Sequence, residues 1–61
     1  MKEKSPLRVL VVDDSALYRQ MLVRAFADLD GVEVVDVAVD GIEALEKIER
    51  LAPDLITLDV Q

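Results

Sequence analysis

Neither cysteine nor histidine occurs anywhere in the 61 residues. Their absence excludes disulfides, zinc centres of the Cys/His type, and triads or acid–base pairs built on imidazole. Positive charge is also scarce: 7 Lys and Arg stand against 13 Asp and Glu, for a formal charge of −6. Such a chain is repelled by a nucleic-acid backbone or an anionic membrane surface, so neither is an expected partner. No apolar run approaches the length of a membrane span or of a signal-peptide core, and a soluble, cytoplasmic chain is expected. What is abundant is apolar: 52% of residues are hydrophobic, too many for a disordered chain. At this length only one small domain is possible, and its core is marginal.

Residues 1–6 read as a polar lead-in, and the organised part as residues 7–61. Leu7 to Val12 is a nearly continuous, β-branched apolar run, the pattern of a strand covered on both faces in a parallel sheet. Ser15 is placed to cap a helix over Ala16 to Ala27. Its apolar rows are Leu17, Met21 and Ala25 beside Tyr18, Leu22 and Phe26, with Arg19, Gln20, Arg24 and Asp28 on the other side. Gly31 is expected to stop that helix. Val32 to Val39 is a strand interrupted by Glu33 and Asp36, charges that an edge strand tolerates. Asp40 and Glu43 form a capping-box pair for a second helix. Its expected inner stripe is Ile42, Leu45, Ile48 and Ala52, with Glu43–Lys47 and Glu46–Arg50 pairs outside. Gly41 reads as a turn residue, and Pro53 ends the helix near Leu51 or Ala52. Leu55 to Val60 is a third apolar strand.

The order β-α-β-α-β, with right-handed crossovers, puts one helix on each face of a parallel sheet. With the first strand central, the spatial order is second, first, third, and the chain reverses direction across the sheet between strands one and three. Ligands of open α/β sheets bind beyond the carboxyl ends of the strands at such a reversal. Asp13 and Asp14 follow strand one, and Asp59 ends strand three, so three carboxylates are expected at one crevice. Pairs about 5 Å apart repel by about 3 kcal/mol at an effective dielectric of about 20. That cost calls for a cation. An all-oxygen donor set with open positions suits magnesium, which accepts phosphate oxygens while a carboxylate attacks phosphorus to give an aspartyl phosphate.

The stretches "RVLVVDDSALYRQML", "AVDGIEAL" and "PDLITLDV" resemble the first half of a response-regulator receiver domain. The wording "DDSALYR" with "TLDV" is most similar to the receivers of chemotaxis methylesterases. The resemblance implies the first β-α-β-α-β half of a flavodoxin-like doubly wound parallel sheet, strand order 2-1-3. It implies that Asp59 is the phosphoacceptor, served by a histidine kinase. It further implies that Asp14 and Asp59 ligate Mg2+ directly, that Asp13 reaches the ion through water, and that Gln61 contributes a backbone carbonyl. Ala16, Arg19 and Gln20, on the first helix, match part of the kinase-docking surface. Receivers continue through two more strands and three more helices, with a switch Ser/Thr and a phosphoryl-contacting Lys that this sequence does not contain. It is therefore expected to be half a receiver, inactive alone, with no enzymatic domain of its own. Its parent could carry a methylesterase, a DNA-binding domain or no further domain.

Other readings fit the residues less well. A dinucleotide site needs a glycine-rich turn after strand one, where this chain has "DDSALY". Phosphatases with an aspartate nucleophile use an Asp-x-Asp pattern there. Ser15 lacks any base to make it a nucleophile. The structural alternative is a natural or engineered half-domain whose acids are inert and which self-associates. Strand three is too apolar for a free sheet edge, so pairing with a second copy or a complementary fragment is expected.

Overall fold

The computed structural model describes residues 5–59. The element order is β1 (Leu7–Asp13), α1 (Ala16–Ala27), β2 (Val32–Ala38), α2 (Gly41–Leu51) and β3 (Leu55–Asp59). The three strands form one parallel sheet in the order β2-β1-β3, as expected from the sequence. The readings for residues 1–4, Val60 and Gln61 fall outside the described residues.

The apolar run of β1 is what makes it central. Val9, Leu10, Val11 and Val12 have no exposed surface, because neighbouring strands take their backbone groups and helices cover both faces. Even-numbered β1 residues face α2: Leu10 and Val12 cluster with Ala38, Ala44 and Ile48. Odd-numbered residues therefore face α1. Between Val9 and Leu10 the register with β2 slips by one residue, so that Leu10 pairs with Asp36 rather than Val35. This bulge turns Asp36 toward α2. There Lys47 Nζ lies 3.2 Å from Asp36 Oδ1 and also donates to the Val37 carbonyl, and Arg50 Nη2 lies 3.7 Å from Asp36 Oδ2.

The capping residues act as the sequence indicated. Ser15 Oγ accepts from the Tyr18 amide at 3.4 Å, and Asp40 Oδ1 accepts from the Glu43 amide at 2.8 Å. Glu43 Oε1 reaches back to the Val39 amide at 2.9 Å. Helix α2 ends on Ala52 in the left-handed region, φ 48°, directly before Pro53. A clamp not read from the sequence then fixes the return to β3. The Arg8 amide donates to Asp54 Oδ2, the Asp54 amide to the Arg8 carbonyl, and the Arg8 guanidinium to the Ala52 carbonyl, all between 2.8 and 2.9 Å.

Several expectations need correction. In α1 the half-buried residues are Arg19, Leu22, Val23 and Phe26, while Leu17, Tyr18 and Met21 are exposed. The helix is apolar over so much of its circumference that periodicity could not choose a face, and Arg19 turns inward to bond the end of β1. In α2 the buried residue is Ala44; Ile42 and Leu45 are 83% and 69% exposed, and Ala52 is exposed as well. Small Ala44 lets the helix approach Leu10 and Val12, and the Lys47 contacts set its rotation. Arg50 pairs with Asp36 instead of Glu46, whereas Lys47 does lie 3.7 Å from Glu43. Helix α1 stops on Asp28, before Gly31. Gly31, at φ 78°, instead turns the chain into β2, and its carbonyl accepts from the Leu7 amide at 2.7 Å. Gly41 is the first residue of α2 rather than a turn residue.

The Val37 amide holds the Asp36 carboxyl below its ordinary value of 3.8; burial opposes the shift, and Lys47 and Arg50 add to it. A carboxyl depressed in the folded state stabilises the fold above its unfolded pKa, and this contribution disappears as pH falls below about 4. Asp36→Asn should cost about 1 kcal/mol at neutral pH. It should also flatten the loss of stability between about pH 5 and pH 3. Urea unfolding of both proteins across that range checks both effects.

Candidate functional site

The site is built where β1 and β3 end side by side. Asp13 is directly opposite Asp59 in the parallel register, and Val11 is opposite Thr57. All four residues share the α1 side of the sheet. Asp13 is 1% exposed, an unusual position for a carboxylate. Its Oδ1 accepts the Ser15 amide at 2.8 Å, a side-chain turn that starts α1. Its carbonyl accepts the Arg19 guanidinium at 2.9 Å. Among the described residues nothing donates to its Oδ2, and the buried Thr57 Oγ1 is likewise without a partner. Asp14 lies in the bend between β1 and α1 and is exposed, as is Asp59.

The register thus brings Asp13 and Asp59 together with Asp14 one residue away. Among the described residues, however, no three acidic side chains are gathered into a cluster that would hold a metal ion. The strand ends expected from the sequence do lie side by side, and Asp14 and Asp59 are exposed residues there. Two features fit a hard cation nonetheless. The donors are all oxygen, and a buried carboxylate oxygen is left without a protein donor. Gln61, the remaining expected ligand, lies outside the described residues.

Two residues stand beside the site where the sequence does not put them. Arg19, expected on the outer face and the docking surface, stands four positions after Ser15 and so returns over the end of β1. Thr57 is two positions before Asp59, on the same face of β3. Beyond Arg19, a cleft of about 310 Å³ lies between α1 and Val37, lined by Arg19, Gln20, Val23 and Arg24. On the opposite face, Ile42, Leu45 and Ile48 of α2 and Ile56 and Leu58 of β3 line an open apolar groove of about 640 Å³.

The family model described as the response regulator receiver domain matches residues 9–61. The chain belongs to the response-regulator receiver family. Its receiver sequence is 55% identical over 56 residues to a protein-glutamate methylesterase/protein-glutamine glutaminase of Myxococcus xanthus, covering 92% of this chain and 16% of that protein. A protein of the same description from Xanthomonas campestris is 54% identical over all 61 residues, 17% of its own length. One from Koribacter versatilis is 49% identical over 57 residues, covering 93% of this chain and 16% of the relative. The chain therefore spans about a sixth of the length of these curated relatives. Among the described residues no receiver helix is long and apolar enough to cross a membrane.

The Ser15 amide bond makes a local prediction for this receiver. Asp13→Asn keeps an oxygen for that amide and should leave stability within about 0.5 kcal/mol, whereas Asp13→Ala should cost about 1–2 kcal/mol. Chemical denaturation of the two variants, without added divalent ions, separates these outcomes.

Proposed function

We propose that this receiver is a phosphoacceptor module of two-component signalling, with Asp59 as the residue that takes the phosphoryl group. The observation that carries the reading is the buried Asp13 carboxylate, with one oxygen unpartnered among the described residues, set opposite Asp59 at the carboxyl ends of adjacent parallel strands. A carboxylate oxygen of Asp59 forms the new bond to phosphorus as the bond to the donor breaks. The donor's leaving atom keeps that electron pair, which makes a protonated phosphohistidine a suitable source. Asp13, Asp14, Asp59 and the Gln61 carbonyl would hold Mg2+. Bound there, the ion supplies the charge that offsets the phosphoryl oxygens against the carboxylates.

The exposed Asp59 side chain is open to an incoming donor, and a histidine kinase is the partner this chemistry requires. Ala16, Arg19 and Gln20, at the start of α1, are the surface it would meet. The chain's formal charge of −6 gives nucleic acid and membrane surfaces no electrostatic hold, in keeping with a cytoplasmic protein. Similarity to proteins described as methylesterases supports a place in chemotaxis-type signalling and a parent carrying that effector. Treatment with a small acyl phosphate and Mg2+ should add one phosphoryl group to Asp59 of the intact protein, and Asp59→Asn should abolish the mass shift. Persistence of the adduct in Asp59→Asn would place the acceptor elsewhere.

A second property rests on the groove. Ile42, Leu45, Ile56 and Leu58 are exposed along α2 and the outer strand β3. We propose that the 61-residue chain buries this face against a second copy or a complementary fragment, through the edge of β3 that no strand covers among the described residues. Sedimentation velocity over a dilution series should show a dimer at micromolar concentration. A folded, well-dispersed monomer there would refute the pairing.

A further inference from the structure

The sheet face toward α1 holds a buried hydroxyl, Thr57 Oγ1, that the phosphoacceptor reading does not use. Asp13 and Asp59 are register partners, and Thr57 precedes Asp59 by two residues on the same face. These positions are three corners of one cell of the sheet. Two corners carry buried oxygens without a partner among the described residues, Asp13 Oδ2 and Thr57 Oγ1. A buried hydroxyl and a buried carboxylate oxygen are each costly when left unsatisfied. Side by side, they are complementary: a hydroxyl donates and a carboxylate only accepts.

The spacing determines how they meet. Two residues along a strand advance about 6.6 Å, and neighbouring strands lie about 4.8 Å apart. The Asp13 and Thr57 Cα atoms are therefore about 8 Å apart across the diagonal. One water making two hydrogen bonds of about 2.8 Å bridges oxygens up to about 5.5 Å apart. A water in this cell would have two buried polar partners, the minimum that holds one in place. It would donate to Asp13 Oδ2 and accept from Thr57 Oγ1–H.

We propose that Thr57 is a positioning residue of the acidic site, its hydroxyl fixing the Asp13 carboxylate through a shared buried water. The arrangement presents Asp13 to a cation in one orientation. It deepens the phosphoacceptor reading and rests on it for its functional meaning, but the hydrogen-bond link exists without metal or phosphoryl donor.

The test uses Thr57→Val, which keeps the β-branched shape and removes the hydroxyl, and Thr57→Ser, which keeps the hydroxyl. The reporter is the Ser15 amide, because it donates to the other oxygen of Asp13. Without added metal, Thr57→Val should shift the Ser15 amide resonance, speed its hydrogen exchange and lower the melting temperature. Thr57→Ser should restore all three. Magnesium affinity, read by titration, should fall about tenfold in Thr57→Val, as for other groups that orient metal ligands. In the unsubstituted protein the Thr57 hydroxyl proton should be slow to exchange and show a cross-peak to a bound water. An equally or more stable Thr57→Val with an unchanged Ser15 amide would overturn the proposal, as would a hydroxyl proton averaged with bulk solvent. Failure of the phosphoacceptor reading shows differently, as a phosphoryl adduct that survives Asp59→Asn.

Discussion

Everything in this small fold depends on one strand being buried along its length and ending in a charge. Val9 to Val12 supply the apolar surface against which both helices pack, and each flank of β1 carries a parallel neighbour. The burial continues to Asp13, so a carboxylate is drawn to the end of the core. An isolated buried charge is costly, and the local structure answers it step by step. The Ser15 amide takes one oxygen, Ser15 begins the helix, and Arg19 of that helix returns to the Asp13 carbonyl. Strand, turn and helix are thereby tied at one residue.

The two faces of the sheet are used for different purposes. Toward α2, Leu10, Val12, Ala38 and Ala44 form the closed core, and the bulge at Val35 brings Asp36 under Lys47 and Arg50. Toward α1, the end of the sheet is polar and holds Asp13, Thr57 and Asp59. Structural charges are thus paired and set at the β2 edge, whereas the acids of the candidate site stand at the carboxyl ends of β1 and β3. In a parallel sheet every strand ends on the same side, so acids from distant parts of the chain meet without a dedicated loop.

Much of the fold was legible because its signals are local. The unbroken run of β1, the caps at Ser15 and Asp40, and the stop at Pro53 depend on a few adjacent residues each. The inward faces of the helices were not legible. In α1, two apolar rows compete, and a polar contact between Arg19 and Asp13 decides between them. In α2, Ala44 and Ile48 take the places against the core, and the large residues Ile42 and Leu45 line the open groove. Size and fit, which periodicity ignores, determine that rotation.

For the candidate site the division is similar. Residue order alone determined that Asp13, Asp14 and Asp59 follow apolar strands, and the β-α-β-α-β order determined that those strands are parallel. The central place of the first strand was implied by the family resemblance and is shown by the structure. Only the tertiary structure decided that Asp13 is buried while Asp14 and Asp59 are exposed, and that Thr57 and Arg19 stand beside them. The reason is physical. Alternation along a strand names the face a residue is on, but its depth depends on which neighbour covers it, and those neighbours come from remote segments of the chain.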